Sequence, residues 1–329
     1  MSNNDKLGFW EKVKLGKQTK EYKRWKRNDR IFSLIVLIVL LVLGYFYWEK
    51  NDYNEFLANV LGNTTNSVNT TNEEMVQAVT GDLKVYFLDV GQADSILVMD
   101  KDKTMLIDAG TNEMGDDVVN FLEDKGVEKI DYLVGTHPHE DHIGGLDDVI
   151  DNFDIGTIYM PKIQTNTKTF EDVLDSIEKK DLKVTAPKQG DEFKLDDADC
   201  EIMLANEDDN DSNLNLSSIV IRMTYGENSF LFMGDAEEQN EEERKWPQTD
   251  VIKIGHHGSR TATSEDFVNQ VKPSIGIIQV AKKNSYKLPN KEPIENLENA
   301  GAKVYRTDED GNILITSDGK NLEVETNVK

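Results

Sequence analysis

The stretch "GTHPHEDHIGG", residues 135–145, carries three of the chain's five histidines together with an aspartate. His137 and His139 flank Pro138, which keeps them out of a helix, so both rings can lean from extended backbone toward one point. Asp141 and His142 follow, where a helix begins, and Gly144 and Gly145 let the backbone turn tightly there. Imidazole nitrogens and carboxylate oxygens are the ligands a zinc-like cation takes when no thiolate is offered. The alternative, a polar surface turn, leaves the concentration of histidines unexplained. The other two, His256 and His257, follow the apolar run "VIKIG" and precede a glycine; Asp235 follows "FLFMG" in the same manner. Three strand ends carrying His or Asp beside glycine form one constellation at a sheet edge.

The elements that must position these residues are legible in outline. "LKVYFLDV", "DSILVMD" and "TMLIDAG" read as short strands, the last two joined by a hairpin turn through "DKDK". "DDVVNFLEDKG" reads as a helix ended by Gly126, and "IDYLVGT" as the strand entering the histidine loop. Beyond it, "IGGLDDVIDNF" reads as a helix, "GTIYMP" as a strand and "TFEDVLDSIEKK" as a helix with Thr169 as its cap. "DCEIMLA", "SSIVIRMTY" and "NSFLFMG" continue as strands, with "YGEN" as a turn. "DVIKIG" and "SIGIIQV" flank the helix "SEDFVNQV". "PIENLENAG" is a last helix, before "AKVYRT" and "NILITS" around "DEDG". No internal repeat of fixed period is present, and the mixture points to one α/β domain over residues 81–329 with sheets covered by helices.

Net charge is −25, yet residues 1–30 are +6, leaving −31 for the remainder. Between the two lies "IFSLIVLIVLLVLGYFYW", residues 31–48, uncharged and apolar all round. As a helix it spans about 27 Å, close to a bilayer's hydrocarbon core. No small-residue cleavage site follows, so it reads as an uncleaved transmembrane signal anchor. The basic residues 1–30 then form a cytoplasmic tail, and everything after residue 48 is extracellular: a single-pass protein of the cell membrane. Residues 49–80, with "NTTNSVNTTNEE", read as a flexible polar tether. One cysteine, Cys200, excludes a disulfide framework and reads as a buried, inert thiol in a strand.

"HPHEDH" matches the H-x-H-x-D-H signature of the metallo-β-lactamase superfamily. With "FLDVGQADSILV", "LIDAG", "NLSSIVIRMTYGENSFLFMGDAE", "VIKIGHHGS" and "YRTDEDGNILI", residues 83–325 resemble the extracellular domain of the competence protein ComEC and its stand-alone relatives. The resemblance implies a four-layer αββα sandwich, here preceded by one transmembrane helix. It also implies two divalent metal ions, zinc or alternatively manganese. His137 and His139 would bind the first; Asp141, His142 and His257 the second, His257 being favoured over His256 because glycine follows it; Asp235 would bridge. Asp108 would hold a metal-bound imidazole in its tautomer. There are three departures. The third histidine many members give the first metal is absent from "NLSSIVI", where Asn215 and Ser218 fit the N-x-x-S of competence-type relatives; Asn215 or water would complete that shell, with Ser218 behind it. Leu288 stands where relatives commonly have histidine, and Ala93 replaces a usual glycine.

Two divalent ions about 4 Å apart can hold a hydroxide between them and clamp the attacked group. The expected function is hydrolysis by metal-bound hydroxide, with Asp141 orienting it and His256 or Ser259 contacting the substrate. The competence relatives imply a phosphodiester; a lactonase or thioesterase shares the chemistry, and a degenerate metal-binding interaction module is the alternative of another class. The expected partner is a small-molecule or polymer substrate at the cell surface. Residues 31–329, at −31 and with no basic stripe visible outside residues 1–30, disfavour nucleic acid.

Overall fold

A computed structural model describes residues 82–205 and 213–329. The expected cytoplasmic tail, signal anchor and tether, residues 1–80, lie outside the described residues, and among those described no helix is long and apolar enough to cross a membrane.

Fifteen strands are described. β1 (Leu83–Phe87), β2 (Ile96–Asp100), β3 (Lys103–Ile107), β4 (Lys129–Val134), β5 (Asp154–Tyr159) and β6 (Val184–Thr185) form one sheet in chain order. β7 (Glu192–Leu195), β8 (Ala198–Leu204), β9 (Val220–Tyr225), β10 (Asn228–Phe232), β11 (Val251–Lys253), β12 (Ile275–Ile278) and β13 (Lys303–Arg306) form the second. β14 (Ile313–Ser317) and β15 (Leu322–Thr326) return to the first sheet beside β1. "AKVYRT" and "NILITS", adjacent in sequence, therefore belong to opposite sheets. A helical turn at Thr307–Asp310 carries the chain between them.

Three buried clusters show the layering. Leu83, Val85 and Phe87 on β1 meet Tyr225, Phe230 and Ile277 between the two sheets. Tyr86, on the other face of β1, joins the helices α1 (Gly115–Asp124), α2 (Glu140–Ile143), α3 (Leu146–Asn152) and α4 (Lys168–Lys179) through Val118, Ile143, Val149 and Phe170. Leu231 and Ile252 lie on the outer face of the second sheet. They pack with Trp246 and with the helices α6 (Glu265–Val271) and α7 (Lys291–Asn299) through Phe267 and Leu297; a shorter helix, α5 (Glu238–Glu242), precedes these two in the chain. Period-two alternation in the strands and the 3.6-residue period in the helices produce this sandwich directly. Strands buried on both faces read as continuous apolar runs.

Two local expectations are corrected. The α4 cap is Thr167, whose hydroxyl accepts from the Phe170 N–H at 3.3 Å. Thr169 lies inside the first turn, buried, and its hydroxyl accepts from Asn112 Nδ2 at 3.1 Å. Gly144 and Gly145 have negative φ, so they serve close packing rather than a left-handed turn. A Cβ at Gly144 would sit 2.2 Å from the Asn112 nitrogen, and one at Gly145 2.5 Å from the Ala109 oxygen.

In the first sheet β3 to β6 run parallel, as β10 to β13 do in the second. The loops leaving the C-terminal ends of β4, β10, β11 and β12 carry the residues described next, the usual place for a site in sheets with parallel strands.

Candidate metal centre

β4 delivers the chain through Gly135 and Thr136 into the histidine loop. Thr136 is clamped on Asp108: its N–H donates to Oδ1 at 2.8 Å and its hydroxyl to Oδ2 at 2.7 Å. His137 and His142 are fully buried, whereas His139, the residue before α2, is partly exposed. His142 Nδ1 lies 2.7 Å from Asp108 Oδ2. With its Nδ1–H donated there, Nε2 is turned to Asp235 Oδ2, 3.3 Å away.

The second sheet contributes from below. Gly234, at φ +53, ends β10 so that Asp235 points inward, its N–H donating to Ser218 Oγ at 3.1 Å. After β11 the backbone passes through His256, His257 and Gly258 at φ 48, 50 and 78. Two histidines in the left-handed region cost on the order of 1–3 kcal/mol each, an expenditure such turns concentrate at functional sites. The result is that the two rings point apart. His257 is buried, its Nε2 3.3 Å from Asp141 Oδ2 and 3.6 Å from Asp235 Oδ2. Its Nδ1 lies 3.0 Å from the Gln279 carbonyl oxygen, which fixes the ring from behind. His256 faces outward, 27% exposed, with Nδ1 3.0 Å from Glu237 Oε1.

Asp141, His142, Asp235 and His257 thus offer ligand atoms within 4.8 Å of one another, and His137, His139 and Asp235 do the same. His137 Nε2 and His139 Nδ1 are 2.9 Å apart. The buried atoms His142 Nε2, His257 Nε2 and Asp235 Oδ1 have no hydrogen-bond partner among the described residues. Buried polar atoms are rarely left so, and this donor set of imidazole and carboxylate fits divalent cations of the zinc class.

Electrostatics fit the same picture. Burial would lower the His142 and His257 imidazoles, but Asp235 with Asp108 holds His142 well above its ordinary value, and Asp235 with Asp94 pushes His257 up to about 10. Burial would raise Asp235, yet His142 and His257 hold it well below the carboxylate range. His137 is pushed well down by burial and by the neighbouring His142 charge. Cations already balance the acids here, and a divalent ion would take the place of protons.

The remaining expected residues lie around this centre. Ser218 Oγ is 3.5 Å from His137 Nδ1. Asn215 Nδ2 donates to Glu237 Oε1 at 3.0 Å and lies 3.3 Å from His256 Nδ1, while its Oδ1 is buried with no hydrogen-bond partner among the described residues. Ser259 is buried, its hydroxyl 3.0 Å from Thr261 Oγ1. Leu288 packs against the outer apolar cluster of the second sheet. Cys200 is buried between the sheets, and burial pushes its thiol far up.

Residues that sequence reasoning missed complete the site. Lys253, fully buried at the end of β11, meets Asp94 Oδ2 at 2.6 Å, and Asp94 Oδ1 is 3.3 Å from His257 Nδ1. Burial would raise Asp94, but Lys253 and His257 hold it below its ordinary range. Glu237 gathers Asn213, Asn215, Thr261 and His256. The available signal was a lone lysine inside "VIKIG", placed by alternation on the inward face with Val251.

A model of the metallo-β-lactamase superfamily matches residues 88–281. The chain is 30% identical to ComE operon protein 3 of Bacillus subtilis (strain 168) over 252 residues, 70% of this chain and 32% of that protein. It is 28% identical to Recombination protein 2 of Haemophilus influenzae, over 72% of this chain and 29% of that protein. Competence protein ComA of Neisseria gonorrhoeae is 29% identical over 68% of the chain. These are ComEC-like competence proteins, and this chain spans about a third of their length. Among solved structures, the metallo-β-lactamase fold protein YhfI of Bacillus subtilis superposes with a TM-score of 0.52 at 12% identity. The likeness, one of fold, covers 72% of this chain and all of YhfI.

Proposed function

The chain belongs to the metallo-β-lactamase superfamily, and we propose that residues 82–329 form a metal-dependent hydrolase acting on a phosphodiester. One observation carries this reading: six side chains from both sheets turn ligand atoms toward one another, and three of the buried atoms have no hydrogen-bond partner among the described residues. His137 and His139 would hold one cation, Asp141, His142 and His257 a second, with Asp235 shared. Divalent cations there supply Lewis acidity and water activation near neutral pH; zinc or manganese suits the donors.

The chain's own residues do the rest. Asp141, whose side chain is 31% exposed, is the cluster's carboxylate open to the entrance and accepts a hydrogen bond from the attacking water. His256, held by Glu237 and Thr261, reaches the substrate from the rim. Ser259 steadies Thr261 beneath it. Asp108 and Gln279 keep His142 and His257 in the tautomers that leave Nε2 free.

The competence relatives support a phosphodiester over a lactone or thioester. We further propose that residues 31–48 anchor the protein in the cell membrane with this domain outside, where its substrate is a small molecule or polymer of the cell surface. Protease accessibility of the domain on intact cells tests the orientation.

The test of function is metal content of the purified full chain, followed by turnover of bis-p-nitrophenyl phosphate and a lactone with and without chelator. Chelator-sensitive cleavage of the phosphodiester is the expected result, with Asp235→Asn abolishing it. Cleavage of the lactone alone would move the chemistry to carbonyl esters; bound metal with no turnover of either would leave a binding module.

A further inference from the structure

Lys253 is fully buried at the end of β11, and the hydrolytic reading gives it no task. Its ammonium meets Asp94 Oδ2 at 2.6 Å and donates to the Ile254 carbonyl at 3.0 Å. Asp94 is buried as well. A buried ion pair gains little over apolar side chains of similar volume, so one placed behind a candidate metal ligand points to a use for its charge. Asp94 is also tied to the centre by its backbone. Its N–H donates to the Asp141 carbonyl at 3.1 Å, and its carbonyl accepts from the Gly110 N–H at 2.8 Å.

The His257 ring shows what the pair controls. Its Nδ1 has two oxygens within reach, the Gln279 carbonyl at 3.0 Å and Asp94 Oδ1 at 3.3 Å. One proton sits on that nitrogen, and its hydrogen bond goes to the carbonyl; Asp94 Oδ1 is buried with no hydrogen-bond partner among the described residues. Gln279 is itself pinned, its Nε2 donating to the Leu88 and Ser95 carbonyls, both at 2.9 Å. A carboxylate whose charge is free is the stronger acceptor of the two. Lys253 removes that advantage. His142 is backed differently: its Nδ1 lies 2.7 Å from Asp108 Oδ2, and among the described residues no lysine or arginine pairs with Asp108. Two imidazoles of one candidate ligand set therefore have unlike support, a free carboxylate behind His142 and a neutral carbonyl behind His257. A carboxylate behind an imidazole strengthens it as a ligand.

We propose that Lys253 is a positioning residue that sets the charge behind His257: by neutralising Asp94 it directs the Nδ1–H to Gln279 and keeps His257 a weaker donor to a cation than His142. This rests on the metal-centre reading and concerns how firmly that centre holds its cation. Asp94 and Lys253 are neutral as a unit. Removing either alone changes the site by one full charge, in opposite directions, whereas damage to packing carries no such sign.

The test is zinc affinity of the full chain, by competition against a fluorescent chelator, followed for the equivalent of metal that His257→Ala removes. Asp94→Asn keeps the shape and leaves the lysine uncompensated, so it should weaken that equivalent about tenfold. Lys253→Met bares the carboxylate and should tighten it about tenfold. Lys253→Met/Asp94→Asn should return it to near the wild-type value. With isotope-labelled histidine in the zinc-loaded chain, the His257 Nδ1–H resonance should move downfield in Lys253→Met, as the proton passes to a charged acceptor. It should stay in place in Asp94→Asn and in the double variant. Weaker binding in all three variants, or a Lys253→Met effect that persists without the Asp94 charge, would overturn the proposal in favour of packing. If Lys253→Met does not fold, Asp94→Asn decides: unchanged affinity or a displaced resonance overturns the proposal. A wild type that takes up no zinc overturns the metal-centre reading, and this assignment with it.

Discussion

Lys253 and Asp94 meet at 2.6 Å, both buried, directly behind His257. A buried ion pair contributes little net stability when intact, but removing one partner strands the other. Lys253→Met should therefore lower unfolding stability by about 3–5 kcal/mol, measured by urea denaturation. The double variant Lys253→Met/Asp94→Asn should recover part of that loss. A double variant no more stable than the single one would mean that the lysine acts through packing and not through charge.

Asp108 touches His142 only through Nδ1, on the side away from Asp235. Asp108→Asn keeps the shape while removing the acceptor that selects the Nε2-free tautomer. Outer partners of this kind are worth about 10–100-fold in metal affinity, so competition against a fluorescent chelator should show a loss of that size. Unaltered affinity would assign Asp108 to holding Thr136 alone.

The opposed rings of His256 and His257 predict a separation of effects. His257→Ala should lose one equivalent of metal by mass spectrometry of the native protein. His256→Ala should keep its metal content yet lose turnover, by roughly a hundredfold for a group engaged with the reacting substrate. The reverse pattern would exchange the two assignments.

Acid sensitivity has a source outside the site. Burial would raise Asp131, but hydrogen bonds from Lys129 at 2.7 Å and Lys103 at 2.9 Å hold its carboxyl below the ordinary value. A depressed folded-state pKa stabilises above the unfolded value of about 3.9 and is lost as pH falls through the folded one. Both lysines are largely solvated, which limits the effect to about 1 kcal/mol. Asp131→Asn should thus cost stability at pH 7, and the difference from wild type should shrink below pH 3.

The histidine loop was legible because three histidines and a proline in six positions leave few other uses, and the strands were legible because their apolar runs are long. The division of strands between sheets was not, since β13 and β14 are neighbours in the chain and part company only through packing. Thr167 and Thr169 are chemically alike, and which one caps α4 depends on Asn112, a residue from a different turn. Asp94 and Lys253 carry no local signature, for each makes sense only beside the other, 159 positions apart.

Four of the six candidate ligands hang from the loop of the first sheet and two from strand ends of the second. Neither layer alone owns a binding site, so affinity for a cation arises only when the sandwich closes, and occupancy and closure become a single thermodynamic event. An ion seated there would act as a rivet across the seam. Its withdrawal would be felt first as loosening between the layers, well before the outer helices let go.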